Sequence, residues 1–250
     1  MSLAFRLIAR LDVKAPALIK TVQLEGVRKL GDPNEFARRY DTSGIDEILY
    51  LDAVASLYGR NSLGALVRET TADIFTPVTV GGGIRSVEDS RGLLLAGADK
   101  VAVNTAAHAR PNLINALAAK LGSQSVVIQI DAKGGYCRTD GGRQETNRQV
   151  ADWAKEAAEQ GAGEILLTSI DREGTKKGCD LDLIESVTRS VTIPVVASGG
   201  FGEPAHAVQA AQAGASGIAI SGALHYNTVQ LDEIRDALVG AGVAVRKAAA

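Results

Sequence analysis

The chain has 250 residues, 27 of them basic and 29 acidic, with 46% hydrophobic but only 4% aromatic side chains and 27 glycines. A chain of this length suits one large α/β domain or two small ones, and buries enough surface to need no disulfide or metal staple. A net charge of −2 gives no basic nucleic-acid footprint. No apolar run reaches the ~18 residues of a membrane span, and Arg6 and Arg10 interrupt the N-terminus too soon for a signal peptide.

Apolar strand segments alternate with amphipathic helical ones in chain order. A strand at 5–11 is followed by a long polar first loop, Lys20 to Asp32, with the character of a lid, and then by a helix at 34–42. Strands at 47–52, 77–80 and 100–103 precede helices at 62–71, 86–96 and 111–121. Strands at 126–131, 164–169, 194–197 and 217–220 precede helices at 148–160, 181–190, 204–213 and 231–241. Pro111 and Pro204 stand in first turns, and Gly97, Gly122, Gly161 and Gly214 stand just past helix ends. Aliphatic, aromatic-poor strands suit a parallel sheet buried on both faces. Eight βα units predict an α/β fold, a single (β/α)8 barrel over residues 1–250. An open doubly wound sheet would not require that count.

An internal repeat sharpens this reading. The segment from Gly82-Gly83 through residues 96–104 recurs 117 residues later as Gly199-Gly200 through residues 213–221. Glu47-Ile48-Leu49 recurs at the same spacing as Glu164-Ile165-Leu166, and Leu11-Asp12-Val13-Lys14 returns as Ile130-Asp131-Ala132-Lys133. Self-similarity at half the chain length predicts two half-barrels, about 1–122 and 123–250. The first and fifth strands then face each other across the barrel.

Function in such a barrel sits at the carboxyl ends of the strands. Asp12 and Asp131 end the first and fifth strands. They are either loop-binding strand ends or an opposed acid/base pair whose surroundings must push their pKa values apart. Lys14 and Lys133 either keep them ionised or extend into solvent. Gly81-Gly82-Gly83 after the third strand can bring consecutive N–H groups close to an anion, with Asn104 and Thr105 adding donors. Ser198, Gly199, Gly200, Ser221 and Gly222 form the mirror set after the seventh and eighth strands. Two such clusters suit a ligand with a phosphate at each end, its middle lying over the aspartates. The loop from Ser169 to Thr175 adds Asp171 and Gly174, with Thr168 at its root and Lys20 reaching in from the first loop. Arg6, Glu47, Lys100 and Glu164 start the first, second, fourth and sixth strands and can close the barrel floor as a salt-bridge ring, by default a stabilising network. Cys137 and Cys179 have no metal-ligand spacing and are expected to be ordinary reduced thiols in a cytoplasmic protein, with no metal and no cofactor. His108, His206 and His225 show no ligand spacing either, and Tyr50, Tyr136 and Trp153 read as packing.

These residues carry a resemblance. The stretches Phe75-Thr76-Pro77-Val78-Thr79-Val80-Gly81-Gly82-Gly83-Ile84-Arg85, Gly97-Ala98-Asp99-Lys100-Val101 with Asn104-Thr105-Ala106-Ala107, Gly161-Ala162-Gly163-Glu164-Ile165-Leu166-Leu167-Thr168-Ser169-Ile170-Asp171-Arg172, and Ala197-Ser198-Gly199-Gly200 are similar to the cyclase subunits of imidazole glycerol phosphate synthase. The resemblance runs over essentially the whole chain. It implies that a glutamine amidotransferase partner at the amino-terminal face delivers ammonia through the barrel. At the mouth, a bisphosphorylated formimino carboxamide ribotide then becomes imidazole glycerol phosphate and an aminoimidazole carboxamide ribotide. It also implies Asp12 and Asp131 as the acid/base pair and Arg6, Glu47, Lys100 and Glu164 as the ammonia gate. The chain departs from the family pattern where Arg10 stands for a usual Cys, where Ala15-Pro16-Ala17 stands for Asp/Asn-Gly-Arg, across the first loop, and at Thr146-Asn147. These departures resemble paralogues of surface-sugar biosynthesis, in which the barrel passes ammonia to a third, sugar-amidinating enzyme.

Overall fold

The computed structural model describes residues 4–55 and 63–246. Twelve strands are present among them: β1 (Arg6–Lys14), β2 (Ala17–Val22), β3 (Glu25–Gly31), β4 (Glu47–Asp52), β5 (Val78–Gly81), β6 (Lys100–Val103), β7 (Val126–Lys133), β8 (Tyr136–Thr139), β9 (Gln144–Gln149), β10 (Glu164–Ser169), β11 (Val195–Ser198) and β12 (Gly217–Ile220). Eight of them, β1, β4, β5, β6, β7, β10, β11 and β12, pair in parallel in that order, and β12 pairs back onto β1. The protein is a closed (β/α)8 barrel.

Helices α1 (Pro33–Thr42), α2 (Gly64–Asp73), α3 (Val87–Leu95), α4 (Thr105–Ala109), α5 (Asn112–Leu121), α6 (Val150–Glu159), α7 (Leu181–Ser190), α8 (Pro204–Gln212), α9 (Gly222–His225) and α10 (Leu231–Gly240) connect the strands. The helix expected at 62–71 becomes α2, and its first residue, Ser62, lies outside the described residues. Side-chain caps set several starts. Asp32 accepts from the Asn34 N–H with Pro33 in the first turn, Ser86 accepts from Asp89, and Asp180 accepts from Leu183. No described helix is long and apolar enough to cross a membrane.

Strand alternation divides the core in two. Along β1, Leu7, Ala9, Leu11 and Val13 belong to the layer shared with the helices. The intervening residues face the barrel axis, where Ile8, Leu49, Leu51, Ala102, Val127, Leu166, Val196 and Ala219 form a separate aliphatic cluster. Trp153 and Tyr50 pack fully buried as expected, whereas Tyr136 is exposed. Cys137 and Cys179 are free and buried.

Two features differ from the sequence expectation. The stretch from Lys20 to Asp32 is not a loop: β2 and β3 form an antiparallel hairpin on β1, with Asp12 opposite Ile19 and Lys20 opposite Arg28. Its turn uses Gln23 and Leu24 in the left-handed region, so no glycine marks it, and β3 is almost wholly exposed. A second hairpin, β8–β9, extends β7 with Asp131 opposite Arg138 and occupies residues expected to begin a helix at 148. Because of the hairpins, Asp12 and Asp131 do not terminate their strands, which run on to Lys14 and Lys133. Both lysines are exposed.

Candidate active site at the barrel mouth

The floor of the barrel is a closed ring of alternating charge. Arg6 Nη1 lies 2.9 Å from Glu47 Oε2 and 3.1 Å from Glu164 Oε2, and Lys100 Nζ lies 2.9 and 3.0 Å from the same two oxygens. The Thr79 hydroxyl donates to the other Glu47 oxygen. All four expected residues therefore meet. Burial alone would lower the Arg6 pKa, but the attraction of Glu164 and Glu47 raises it overall. Above the ring stands the aliphatic lumen, and above the lumen the polar mouth.

Each aspartate at the mouth is held by the inward-facing residue two places before it. Arg10 Nε donates to Asp12 Oδ1 at 3.0 Å, and Gln129 Nε2 donates to both Asp131 oxygens at 3.0 and 3.1 Å. Asn104 Nδ2 also donates to Asp131 Oδ2 at 3.0 Å. Burial pushes the Asp131 carboxyl pKa up, against the opposing pull of Arg10, Gln129 and Asn104. Asp12 Oδ2 is buried and has no hydrogen-bond partner. One carboxyl is thus paired with a cation and the other only with neutral amides.

Two cavities open beside the aspartates. The larger, about 330 Å³, is lined by Gly82, Gly83, Asn104, Thr105, Asp12 and Asp131 among others. The smaller, about 200 Å³, is lined by Lys20, Gly174, Ser198, Gly199, Gly200, Ser221 and Gly222 among others. Arg10 lines both. The glycines are required. A Cβ on Gly82 would sit 2.6 Å from the Asp52 carbonyl oxygen, and one on Gly199 would sit 2.6 Å from the Ser169 carbonyl oxygen. Both residues hold φ of +100°. Asn104 and Ser221 precede α4 and α9 with nearly the same backbone (φ −122°, ψ −88° and φ −115°, ψ −89°). Asn104 Oδ1 and Ser221 Oγ are buried without partners. Replacing Gly199 by Ala forces that loop to move, so the expected result is a loss of about 1–3 kcal/mol of stability. Thermal melts of the variant beside wild type check this.

Thr168 is fully buried level with its register partners Asp131 and Ser198, and its hydroxyl accepts from Arg10, so it reaches the mouth through that side chain. Asp171 is exposed at the rim and accepts from the Gly134 N–H of the β7–β8 turn. Lys20 is buried in an ion pair with Glu173. The Gln23 N–H donates to the Glu173 carbonyl, so the β2–β3 hairpin is docked across this side of the mouth. The histidines are not ligands to one another. His225 is buried against Tyr40, with Nδ1 2.6 Å from its hydroxyl and a pKa lowered to about 4, chiefly by burial. His108 stacks on Trp153, and its pKa is likewise lowered by burial to about 4.

Residues 6–230, spanning all eight barrel strands, match the model of the histidine biosynthesis protein family. The chain belongs to that family. Among curated relatives, the imidazole glycerol phosphate synthase subunit HisF of Legionella pneumophila is 56% identical over 203 residues, covering 79% of this chain and 96% of the relative. The protein of the same name from Kineococcus radiotolerans is 46% identical over 257 residues (98% of this chain, 100% of the relative), and that from Gluconacetobacter diazotrophicus 46% over 249 residues (98% and 96%). In this member of the histidine biosynthesis family, three mouth residues escape a reading of motifs alone: Arg10, Gln129 and Glu173. A signal for the first two was present. Counting by twos from Arg6 puts Arg10 and Asp12 on the inner face, and counting back from Asp131 does the same for Gln129. Glu173 carries no such periodicity, because it lies in a loop.

Proposed function

We propose that the protein is the cyclase subunit of an imidazole glycerol phosphate synthase and acts as a lyase. It would use glutamine-derived ammonia to convert a bisphosphorylated formimino carboxamide ribotide to imidazole glycerol phosphate and an aminoimidazole carboxamide ribotide. The observation that carries this reading is the placement of two buried aspartates in the larger of two glycine-built cavities that meet at Arg10, at the far end of an aliphatic lumen from a charged floor. The N–H groups beside Gly82, Gly83, Gly199 and Gly200, the side chains of Thr105, Ser198 and Ser221, and Lys20 serve the two phosphates, while the Asn104 amide is spent on Asp131 and the Arg138 carbonyl and holds that carboxyl instead. The ribotide's reacting middle then lies over Asp12 and Asp131. Of these, Asp131, whose burial favours the neutral form, gives a proton to the departing nitrogen. Asp12 accepts one from the attacking nitrogen at its free Oδ2. The apolar lumen suits neutral ammonia and disfavours ions.

The glutaminase partner belongs on the floor side. Phe75, in the connection before β5, is 98% exposed, and Leu95 and Val239, at the ends of α3 and α10, are also exposed on this face. An isolated, fully exposed aromatic is the kind of side chain that anchors an interface. Phe75→Asp is expected to weaken partner binding about tenfold or more. Turnover driven by ammonium salt should be unchanged, since the mouth lies at the other end of the barrel. Calorimetric titration with the partner and a steady-state assay check the two halves of this expectation.

The test of the reading is ribotide turnover by the chain alone in excess ammonium salt, with formation of imidazole glycerol phosphate expected. A folded protein that binds the ribotide and makes no product would instead fit an ammonia conduit to a sugar-amidinating enzyme, the reading that the grip of Arg10 on Asp12 favours.

A further inference from the structure

We propose that Arg10 is a positioning residue of the mouth, fixing the Asp12 carboxylate in the wall of the cavity and confining the upper end of the lumen to the side between the two aspartates. The kinetic part of this inference rests on the cyclase reading, whereas the geometric part does not.

Arg10 projects inward from β1 and is buried to 4% exposure. Its Nε donates to Asp12 Oδ1, and its Nη1 donates to Thr168 Oγ1 on β10 and Ser198 Oγ on β11, all at 3.0 Å. The side chain therefore spans from β1 to β10 and β11, over the part of the lumen walled by Ile8, Leu166 and Val196. On the opposite side Leu51 and Ala102 belong both to the lumen and to the cavity that holds Asp12 and Asp131. A small neutral molecule rising through the lumen meets a guanidinium on one side and the cavity that Asp12 and Asp131 line on the other. A buried cation at this point also repels ammonium and hydronium, so the nitrogen that arrives is the neutral form able to attack. The contrast with the fifth strand makes the role specific. There Gln129 occupies the corresponding place before Asp131 and supplies an amide instead of a charge. A buried guanidinium is stable only while its partners remain, and here three side chains from three strands supply them.

The test uses the full chain with ammonium salt as the nitrogen source and compares wild type, Arg10→Met and Arg10→Lys. Arg10→Met is expected to lower kcat by about 100-fold, the scale of a misplaced reacting group. The ribotide KM should stay within about threefold, because both phosphate cavities keep their own donors. Arg10→Lys, which retains a cation and a donor, is expected to recover about tenfold of the lost kcat. If Arg10→Met does not fold, Thr168→Val removes one anchoring hydroxyl of the guanidinium and is expected to lower kcat about fivefold with KM unchanged. An unchanged kcat, a loss confined to KM, or a Lys variant no better than Met would overturn the proposal. Crystal structures of wild type and Arg10→Met, or of Thr168→Val if Met does not fold, supply the readout that does not depend on turnover. The Asp12 carboxylate is expected to leave its wild-type rotamer in the variant. An Asp12 that stays in place would overturn the proposal even if the wild-type chain made no product, a result that would count separately against the cyclase reading.

Discussion

Replacing Asp131 by Asn is expected to reduce turnover of the ribotide at least about 1,000-fold while making the protein more resistant to heat at neutral pH. The two effects have one origin. Asp131 is almost fully buried, and burial raises its pKa from the ordinary value of 3.8. A carboxyl with a raised native pKa is held more tightly as the neutral acid in the fold than in the unfolded chain. Its ionisation therefore takes stability away as pH rises from the ordinary carboxylate range through the native value, and takes none away well below that range. Asparagine cannot ionise, so the variant escapes the cost and keeps an oxygen acceptor toward Gln129 and Asn104. A gain of roughly 2–4 °C in melting temperature near pH 7, about 1 kcal/mol for a chain of this size, is the expected scale. The gain should vanish below about pH 4. Melting curves across pH, run beside the kinetic assay, check both signs. A variant equally stabilised at every pH would mean that ionisation of Asp131 is not the source.

The second large effect is expected at the floor. Lys100→Met leaves Glu47 and Glu164, with side chains only 5% and 10% exposed, sharing Arg6 alone. Removing one partner from a buried ion pair costs about 3–5 kcal/mol. Lys100 and Arg6 reach partly into solvent, which discounts the figure to roughly 2–3 kcal/mol. In a chain of 250 residues that corresponds to a fall of about 4–10 °C in melting temperature. The double variant Lys100→Met/Glu164→Gln restores the charge balance of the ring and is expected to regain more than half of the loss, a coupling that a double-mutant cycle measures directly. Turnover with ammonium salt should stay within about threefold of wild type, because the reacting mouth is separated from the ring by the whole aliphatic lumen. Glutamine-driven turnover with the partner should fall, since ammonia must cross the altered floor.

How much of this was legible in the sequence depended on what each residue faces. The eight barrel strands are buried on both faces, so Ile48-Leu49-Tyr50-Leu51 and Ile165-Leu166-Leu167 stand out as apolar runs. The hairpin strand β3 is exposed along nearly its whole length, and its turn uses Gln23 and Leu24 at positive φ, so neither pattern nor glycine announced it. The β8–β9 hairpin did leave a mark in Thr139-Asp140-Gly141-Gly142, a turn sequence flanked by strand-compatible residues. At the mouth, the aspartates, the paired glycines and the Asn104 and Ser221 positions were readable because they recur. Arg10 was readable only as an unusual residue. That it is a buried charge spanning three strands depends on the closure of the barrel, which brings residues 158 and 188 positions distant within hydrogen-bond reach. Asp171 shows the converse limit, since a polar residue just past a strand end can turn outward to the rim.

The central claim is that this mouth joins ammonia to a ribotide and closes an imidazole ring. Its most direct test is to supply the chain alone with the bisphosphorylated ribotide and 15N-labelled ammonium chloride, and to follow the label in both products by NMR. One 15N is expected in the ring of imidazole glycerol phosphate and none in the aminoimidazole carboxamide ribotide. Intact ribotide with no labelled ring, in a protein shown to be folded and to bind the ribotide, would contradict it.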